Sequence, residues 1–319
     1  MKAALDADVA ADVIRKVPIG EPSEWCARMV VVAKKDGRPR RCIDFQKLNA
    51  QCLREPYHTR SPFRTACRIP PSTYKSVVDA VDGFHSVELD NVSSRLTTFI
   101  TPWGRYRYNR FPQGHSAAGD AFNSRFHKIM QHVPRMERIV DDMCLYDHSI
   151  SEAFYHVWDV LFICANNGIV LNRNKFQFCQ ESVDFAGLTI TMDGIQPSSK
   201  MLAAIQDFPP PTNLKSARAW FGLSNEVQWA YANSHVMAPF CDLISTKSRF
   251  YWNDRDHLAA LFDEAKQQIL QQVREGVRTF DISKYTCLQT DWFKESLGYL
   301  LLQKKCTLSS GLGSCLLSK

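Results

Sequence analysis

Two adjacent acids, Asp141 and Asp142, stand between apolar strand segments in Ile139-Val140-Asp141-Asp142-Met143-Cys144-Leu145. Successive strand residues face opposite sides, so only a turn can bring both carboxylates to one site. A third acid, Asp79, closes the run Ser76-Val77-Val78-Asp79, 62 residues earlier. Carboxylates gathered away from bulk water need a cationic partner, and a divalent cation is the natural one. A strand-end acid beside a hairpin-turn pair suits two Mg²⁺ ions about 4 Å apart. A solvated Asp-Asp turn beside an N-capping Asp79 accounts for the same spacing, and spacing alone leaves both readings open.

The elements that must position these acids follow from periodicity. Ala27–Ala33 is a β-branched strand, Lys35-Asp36-Gly37-Arg38-Pro39 a turn, and Arg41–Phe45 the returning strand of a hairpin with a basic tip. Residues 1–16 read as a helix and 50–73 as a proline-dotted loop. Ser76–Asp79 is a strand opening into a helical stretch near Gly83, and Thr97–Tyr108 a hairpin around Pro102-Trp103-Gly104. Ala117–His132 and Ser151–Asn166 are helices flanking two short strands with Asp141-Asp142 as their turn. Strands at Ile169–Leu171 with Phe176–Phe178 and at Asp184–Thr191 follow. From Val77 to Phe178 the order is strand–helix–strand–strand–helix–strand, the split βαβ, ferredoxin-like arrangement. It places the Asp79 strand and the acidic hairpin as central neighbours. Three helices follow (198–207, 213–225, 256–273), then strands at 286–290 and 298–303 and a Ser/Gly/Leu-rich tail.

Composition bounds the partners. The 319 residues carry a formal charge of +6, and nine Lys/Arg against three acids between Arg28 and Arg60 place +6 in that stretch alone. A polyanionic partner or a solvated basic face explains such a patch. No apolar run is long enough to span a membrane, and Met1-Lys2-Ala3-Ala4-Leu5-Asp6 lacks a secretory signal core. Eleven scattered cysteines without CxxC spacing argue against a zinc site or disulfide framework and for a reducing, intracellular setting, cytoplasmic or nuclear.

Read in order, the segments resemble the reverse transcriptase of Gypsy-type LTR retrotransposon Pol polyproteins. The family's aromatic–x–Asp–Asp box is similar to Ile139-Val140-Asp141-Asp142, and its strand Asp with an aromatic five residues on is similar to Asp79-Ala80-Val81-Asp82-Gly83-Phe84. Val31–Gly37 and Arg40–Asn49 resemble its fingers hairpin, and Phe111-Pro112-Gln113-Gly114, Leu171-Asn172 with Lys175, Phe185-Ala186-Gly187 and Asp207–Thr212 resemble further landmarks. The likeness runs from about residue 8 to 304.

That resemblance implies an α+β polymerase right hand: fingers, a ferredoxin-like split βαβ palm and a helical thumb, with an incomplete RNase H-like segment. Residues 1–195 would be fingers and palm, 196–250 thumb helices, 251–305 a connecting helix with truncated RNase H-like strands, and 306–319 a tail outside the family pattern. It implies an RNA-directed DNA polymerase using Mg²⁺, or Mn²⁺ in its place, on an RNA or DNA template with primer and dNTPs. Asp79, Asp141 and Asp142 would bind the metal ions, and Lys175 would donate a proton to the leaving pyrophosphate. Lys34 and Arg40 would hold the triphosphate, Gln113 would contact the nucleotide, and Phe84 would exclude a 2′-hydroxyl. Arg41, Gln46 and the primer-grip residues Phe185, Ala186 and Gly187 would meet nucleic acid.

Two departures stand out. Ile139 replaces the box's usual aromatic, and only 28 residues follow Asp291, which resembles the first metal acid of an RNase H domain. RNase H activity is therefore not expected. The alternative function is a catalytically inactive retroelement remnant that at most binds nucleic acid. Oligomeric state is left open.

Overall fold

The computed structural model describes residues 1–33, 39–81, 83–230, 237, 240, 241, 244, 255–293, 296–304 and 317–318. From the N-terminus, α1 (Lys2–Ala10) leads to β1 (Ile14–Lys16), the hairpin strands β2 (Ala27–Ala33) and β3 (Pro39–Asp44), and α2 (Gln46–Asn49). Then come α3 (Pro62–Ala66), β4 (Tyr74–Asp79), a 3-10 turn at Gly83–Ser86, α4 (Asn91–Leu96), β5 (Phe99–Thr101) and β6 (Gly104–Tyr108). The middle of the chain supplies α5 (Ala118–Met130), β7 (Met136–Ile139), β8 (Asp142–Asp147), α6 (Ile150–Asn166), a 3-10 turn at Arg173–Lys175 and β9 (Gln177–Gln180). Next are β10 (Val183–Phe185), β11 (Leu188–Ile190), β12 (Gly194–Pro197), α7 (Ser199–Gln206) and α8 (Leu214–Glu226). The last elements are α9 (Arg255–Glu275), β13 (Val277–Arg278), β14 (Thr286–Phe293), β15 (Ser296–Lys304) and β16 (Leu317–Ser318).

Four sheets result, with strand orders β1-β6-β5-β2-β3, β7-β8-β4-β9, β10-β11-β12-β13 and β14-β15-β16. The second has the split βαβ order expected from the sequence, with β4 and β8 side by side at its centre. The chain falls into two units. One comprises Met1–Arg60, Val78–Leu145 and Phe154–Phe176, and the other Ser61–Val77, Tyr146–Ala153 and Gln177–Lys319. In the first unit, Leu5, Ile14, Phe45, Phe99, Tyr106 and Tyr108 form one core. A second core there joins Val78, Phe122, Phe126, Met143, Leu145, Val157 and Val160. The helical spacing of Phe122, Phe126 and Met130 explains why α5 carries one buried face. In the second unit, Trp220, Phe262, Ile269 and Leu270 join the buried faces of α8 and α9.

The structure corrects several expectations. The N-terminal helix stops at Ala10; Asp12 takes φ 54° and Ile14–Lys16 becomes a strand paired with Tyr106–Tyr108. Cross-strand partners thus override a weak local helical pattern. The 50–73 loop contains α3, capped by Ser61, and α4 forms behind an Asp90 cap that accepts from the Val92 and Ser93 N–H groups. Leu171 makes only an isolated bridge, and Asp184–Thr191 is two strands folded at Ala186-Gly187. The acidic turn is shifted by one residue: Ile139 pairs with Asp142, so Val140 and Asp141 form it. The hairpin tip at 34–38 and residues 306–316 of the tail lie outside the described residues. No helix among the described residues is long and apolar enough to cross a membrane.

Candidate active site

Backbone pairing carries Asp79 and Asp141 to one place. β4 ends at Asp79, and the next N–H, of Ala80, donates to the Asp141 carbonyl at 2.9 Å. On the other side, Asn172 N–H donates to the Asp79 carbonyl at 2.8 Å and Val81 N–H to the Val170 carbonyl at 2.8 Å. The 3-10 turn that follows is opened by the Asn172 side chain, which accepts from Asn174 N–H, and it delivers Lys175. Lys175 Nζ then reaches Asp79 Oδ2 at 2.8 Å. Asp79 is 5% exposed, whereas the Lys175 side chain is largely open to solvent.

Burial and neighbouring acids set the electrostatics, burial first. Burial, the hydrogen bond to Asp79 and the charges of Asp79 and Asp141 push the Asp142 carboxyl up to about 7, with Lys175 opposing. The hydrogen bond to Asp79 favours the protonated form of Asp142, as where two carboxyls share one proton. Lys175 is held above its ordinary value by its bond to Asp79, with partial burial opposing and the charges of Asp142 and Asp141 adding. Among the described residues no three His, Cys, Asp or Glu side chains converge as a metal-ligand set. The donor chemistry nevertheless fits a hard divalent cation, because the carboxyl oxygens of Asp79 and Asp142 call for neutralisation, which the Lys175 ammonium supplies by direct contact only to Asp79.

The turn itself is strained. A two-residue connection between Ile139 and Asp142 calls for left-handed backbone, and Val140 supplies it at φ 52° despite its β-branched side chain. Arg138 Nη1 donates to the Val140 carbonyl at 2.7 Å and to Asn123 Oδ1 at 2.9 Å. Sequence reasoning passed over Arg138 and Asn123; the available signal was a cation in a short strand otherwise leading into an apolar turn.

The remaining candidates are placed as follows. Phe84 is half-buried, its ring edge-on to Phe122 at 6.0 Å on the margin of the core that holds Val78 and Ala80. The Gly83 backbone lies so close to Phe122 that a Cβ there would sit 2.6 Å from the ring. Gln113 is exposed in a loop whose backbone is held just after it by one side chain: Asn49 Nδ2 donates to the Gly114 carbonyl at 2.9 Å, and Asn49 Oδ1 accepts from Ser116 N–H at 2.9 Å. Asn49 was a motif residue without a role. Arg40 pairs with Val32 across the hairpin, and its side chain, like all of Lys34, lies outside the described residues. Arg41 turns inward to Asp8 and over the Phe99 ring at 5.9 Å. Gln46 is exposed at the start of α2. In the second unit, Ala186 and Gly187 take φ 48° and 83° at the β10–β11 turn, and Phe185 is buried beneath them. Asp291 falls in β14, with its side chain outside the described residues.

Residues 32–190 match the reverse transcriptase (RNA-dependent DNA polymerase) family. The retrovirus-related Pol polyprotein from transposon 297 of Drosophila melanogaster is 26% identical over 290 residues, 90% of this chain and 27% of that polyprotein. The transposon Tf2-3 polyprotein of Schizosaccharomyces pombe is 25% identical over 279 residues, covering 86% of this chain and 21% of that one. The chain therefore spans about a quarter of the length of these relatives. Among solved structures, the foamy viral protease-reverse transcriptase in complex with dsDNA superposes with a TM-score of 0.82 at 20% identity, over 96% of this chain and 63% of that one. The same viral protein in complex with RNA/DNA hybrid gives 0.78 at 19% identity, over 95% and 40%. The fold is thus the reverse transcriptase polymerase fold, and residues 32–190 of the chain carry the reverse transcriptase (RNA-dependent DNA polymerase) domain match within it.

Proposed function

We propose that this chain is a reverse transcriptase polymerase core that adds deoxynucleotides to a primer 3′-hydroxyl on an RNA or DNA template. The observation that carries the reading is the gathering of Asp79, Asp142 and Lys175, with Asp141 adding its charge, inside a reverse transcriptase domain. Divalent cations, Mg²⁺ first, would be held by Asp79, Asp141 and Asp142 and would supply activation of the hydroxyl and neutralisation of the leaving pyrophosphate. Lys175 would protonate that leaving group, a role its solvent-facing side chain and raised pKa support. Phe84 would exclude a 2′-hydroxyl and Gln113 would meet the nucleotide, with Lys34 and Arg40 on its phosphates. Residues 1–195 would serve as fingers and palm, 196–250 as thumb, and 251–305 as connection and partial RNase H-like strands. The foamy viral relatives' complexes with dsDNA and RNA/DNA hybrid support nucleic acid as the partner.

The test is extension of a DNA primer on an RNA template. Mg²⁺-dependent extension that disappears in the Asp141→Ala, Asp142→Ala variant is the expected result. Equal signal from wild type and that variant sinks the enzymatic reading and leaves the inactive, at most nucleic-acid-binding, remnant.

A further inference from the structure

The turn that carries Asp141 is held from both sides. Ala80 N–H fixes the carbonyl after it, at 2.9 Å, and Arg138 Nη1 fixes the carbonyl before it, at 2.7 Å. The two peptide planes flanking the Asp141 Cα are therefore each pinned by a hydrogen bond. Without the second bond, Val140 would have reason to relax, since a β-branched residue at φ 52° stores about 1–3 kcal/mol of strain. Rotation of that one peptide would re-aim the Asp141 carboxylate and shift Asp142 behind it.

Arg138 is itself braced. Its Nη1 also donates to Asn123 Oδ1 at 2.9 Å, its Nη2 approaches the Asn123 carbonyl at 3.4 Å, and its guanidinium lies 4.9 Å over the Phe126 ring. Asn123 is buried and anchored to α5 through Nδ2, which donates to the Gly119 carbonyl at 3.0 Å. Burial pulls the guanidinium below its ordinary value, and its hydrogen-bond partners among the described residues are neutral oxygens. A half-buried cation with no carboxylate among those bonds is an expensive way to fill space. Nη1 alone meets the turn carbonyl and the anchored amide, and the planar group adds the Nη2 contact and the stack on Phe126, which explains the choice of arginine.

We propose that Arg138, braced by Asn123, is a positioning residue that locks the Val140–Asp141 peptide and so presents Asp141 and Asp142 to a divalent cation; this rests on the reading of those acids given above. The experiment titrates Mn²⁺ into the whole chain, without nucleotide or nucleic acid, and follows free Mn²⁺ by electron paramagnetic resonance. Wild type, Arg138→Gln, Arg138→Lys, Asn123→Ala and Asp141→Ala are compared, with urea unfolding as a check on folding. Arg138→Gln should weaken Mn²⁺ binding about 10-fold or more, the usual scale for groups that orient metal ligands. Primer extension should show the loss in kcat rather than in KM for dNTP, relieved in part by raised Mg²⁺. Arg138→Lys keeps one nitrogen able to meet both acceptors but loses the Nη2 contact and the planar stack on Phe126, so it should fall between wild type and Arg138→Gln. Should Arg138→Gln fail to fold, Asn123→Ala keeps the guanidinium and should still weaken Mn²⁺ binding. Folded Arg138→Gln and Asn123→Ala proteins that bind Mn²⁺ as wild type does, while Asp141→Ala does not, overturn the positioning role alone. Unchanged Mn²⁺ binding in Asp141→Ala overturns the reading of the acids, and the positioning role with it.

Discussion

Replacing Asp79 with Asn removes one negative charge and leaves only a weaker, neutral amide oxygen to accept from Asp142, while leaving burial of Asp142 in place. Asp142 stands at about 7 against an ordinary 3.8. At 1.36 kcal/mol per unit, that displacement corresponds to about 4 kcal/mol between the two protonation states, and solvent at a half-open carboxyl screens it to about 2 kcal/mol. The sign is unusual for an acid. Below pH 3.8 both folded and unfolded chains are protonated here, and the group is neutral toward folding. As pH rises toward 7 the unfolded chain ionises first, so stability falls, and above pH 7 the full penalty persists.

Burial is the first cause and survives the substitution; of the causes that follow, the bond to residue 79 is weakened and its charge is lost. About half of the effect, roughly 1 kcal/mol, should therefore vanish in Asp79→Asn. Urea unfolding at pH 4 and pH 8 in the presence of a chelator measures it, and comparing the two proteins cancels the many other groups that titrate in that range. The fall in stability from pH 4 to pH 8 should be about 1 kcal/mol smaller in the variant. Lys175, freed of its partner, stays protonated throughout and adds nothing to the difference. Adding Mg²⁺ at pH 8 should stabilise wild type more than the variant. Equal pH dependence in the two proteins would refute the coupling of Asp79 to Asp142, and equal response to Mg²⁺ would refute its relief by a cation.

Gly83→Ala should destabilise the chain by about 1–3 kcal/mol in urea unfolding, because its Cβ would sit 2.6 Å from a Phe122 ring that is itself stacked on Phe126; pairing it with Phe122→Leu should recover most of the loss, and no recovery would point elsewhere. Ala186→Asn should raise stability by about 0.5–1 kcal/mol, since Asn accepts the left-handed backbone that Ala186 adopts before Gly187. A lower urea midpoint would count against that turn geometry. Asn49→Ala frees the backbone that follows Gln113, so KM for dNTP should rise about 5- to 30-fold with little change in kcat. An unchanged KM would separate Gln113 from the nucleotide.

How far the site could be read from sequence depended on what each residue's neighbours disclose. Asp79 and the Asp141-Asp142 pair were legible because short apolar strands bracket them, and strand order alone makes β4 and β8 neighbours. The exact turn was not, since alternation marks the strands and not which two residues connect them; Asp142 proved to be the first residue of β8, paired with Ile139. Lys175 entered only by resemblance, because a salt bridge spanning 96 positions leaves no local trace. Polarity misleads in β7, where Glu137 is buried and Arg138 half-buried. Helix α6 shows the same limit: Ala153, Val157, Val160 and Cys164 face the core, yet Phe154, Tyr155, Trp158 and Phe162 are exposed. Apolar residues nearly all round a helix do not by themselves say which side is covered.

The basic stretch from Arg28 to Arg60 changes most on moving from sequence to structure. Counted along the chain it holds nine cations against three acids, but acids from elsewhere come to meet it. Asp8 takes Arg41, and Asp120 takes Arg54 at 2.8 Å while also accepting Tyr57 N–H. The two pairs differ in what a phosphate could take from them. Arg54 is 57% exposed, and an exposed pair is worth about 0–1 kcal/mol, so an incoming polyanion can compete for its guanidinium. The Arg41 side chain is 15% exposed, lies over Phe99 and would have to abandon both partners to turn outward. Its charge is spent on fastening the hairpin to α1, which carries Asp8. Binding of nucleic acid by this stretch should therefore draw on Arg54 before Arg41, and a count of basic residues overstates the number of phosphates it neutralises.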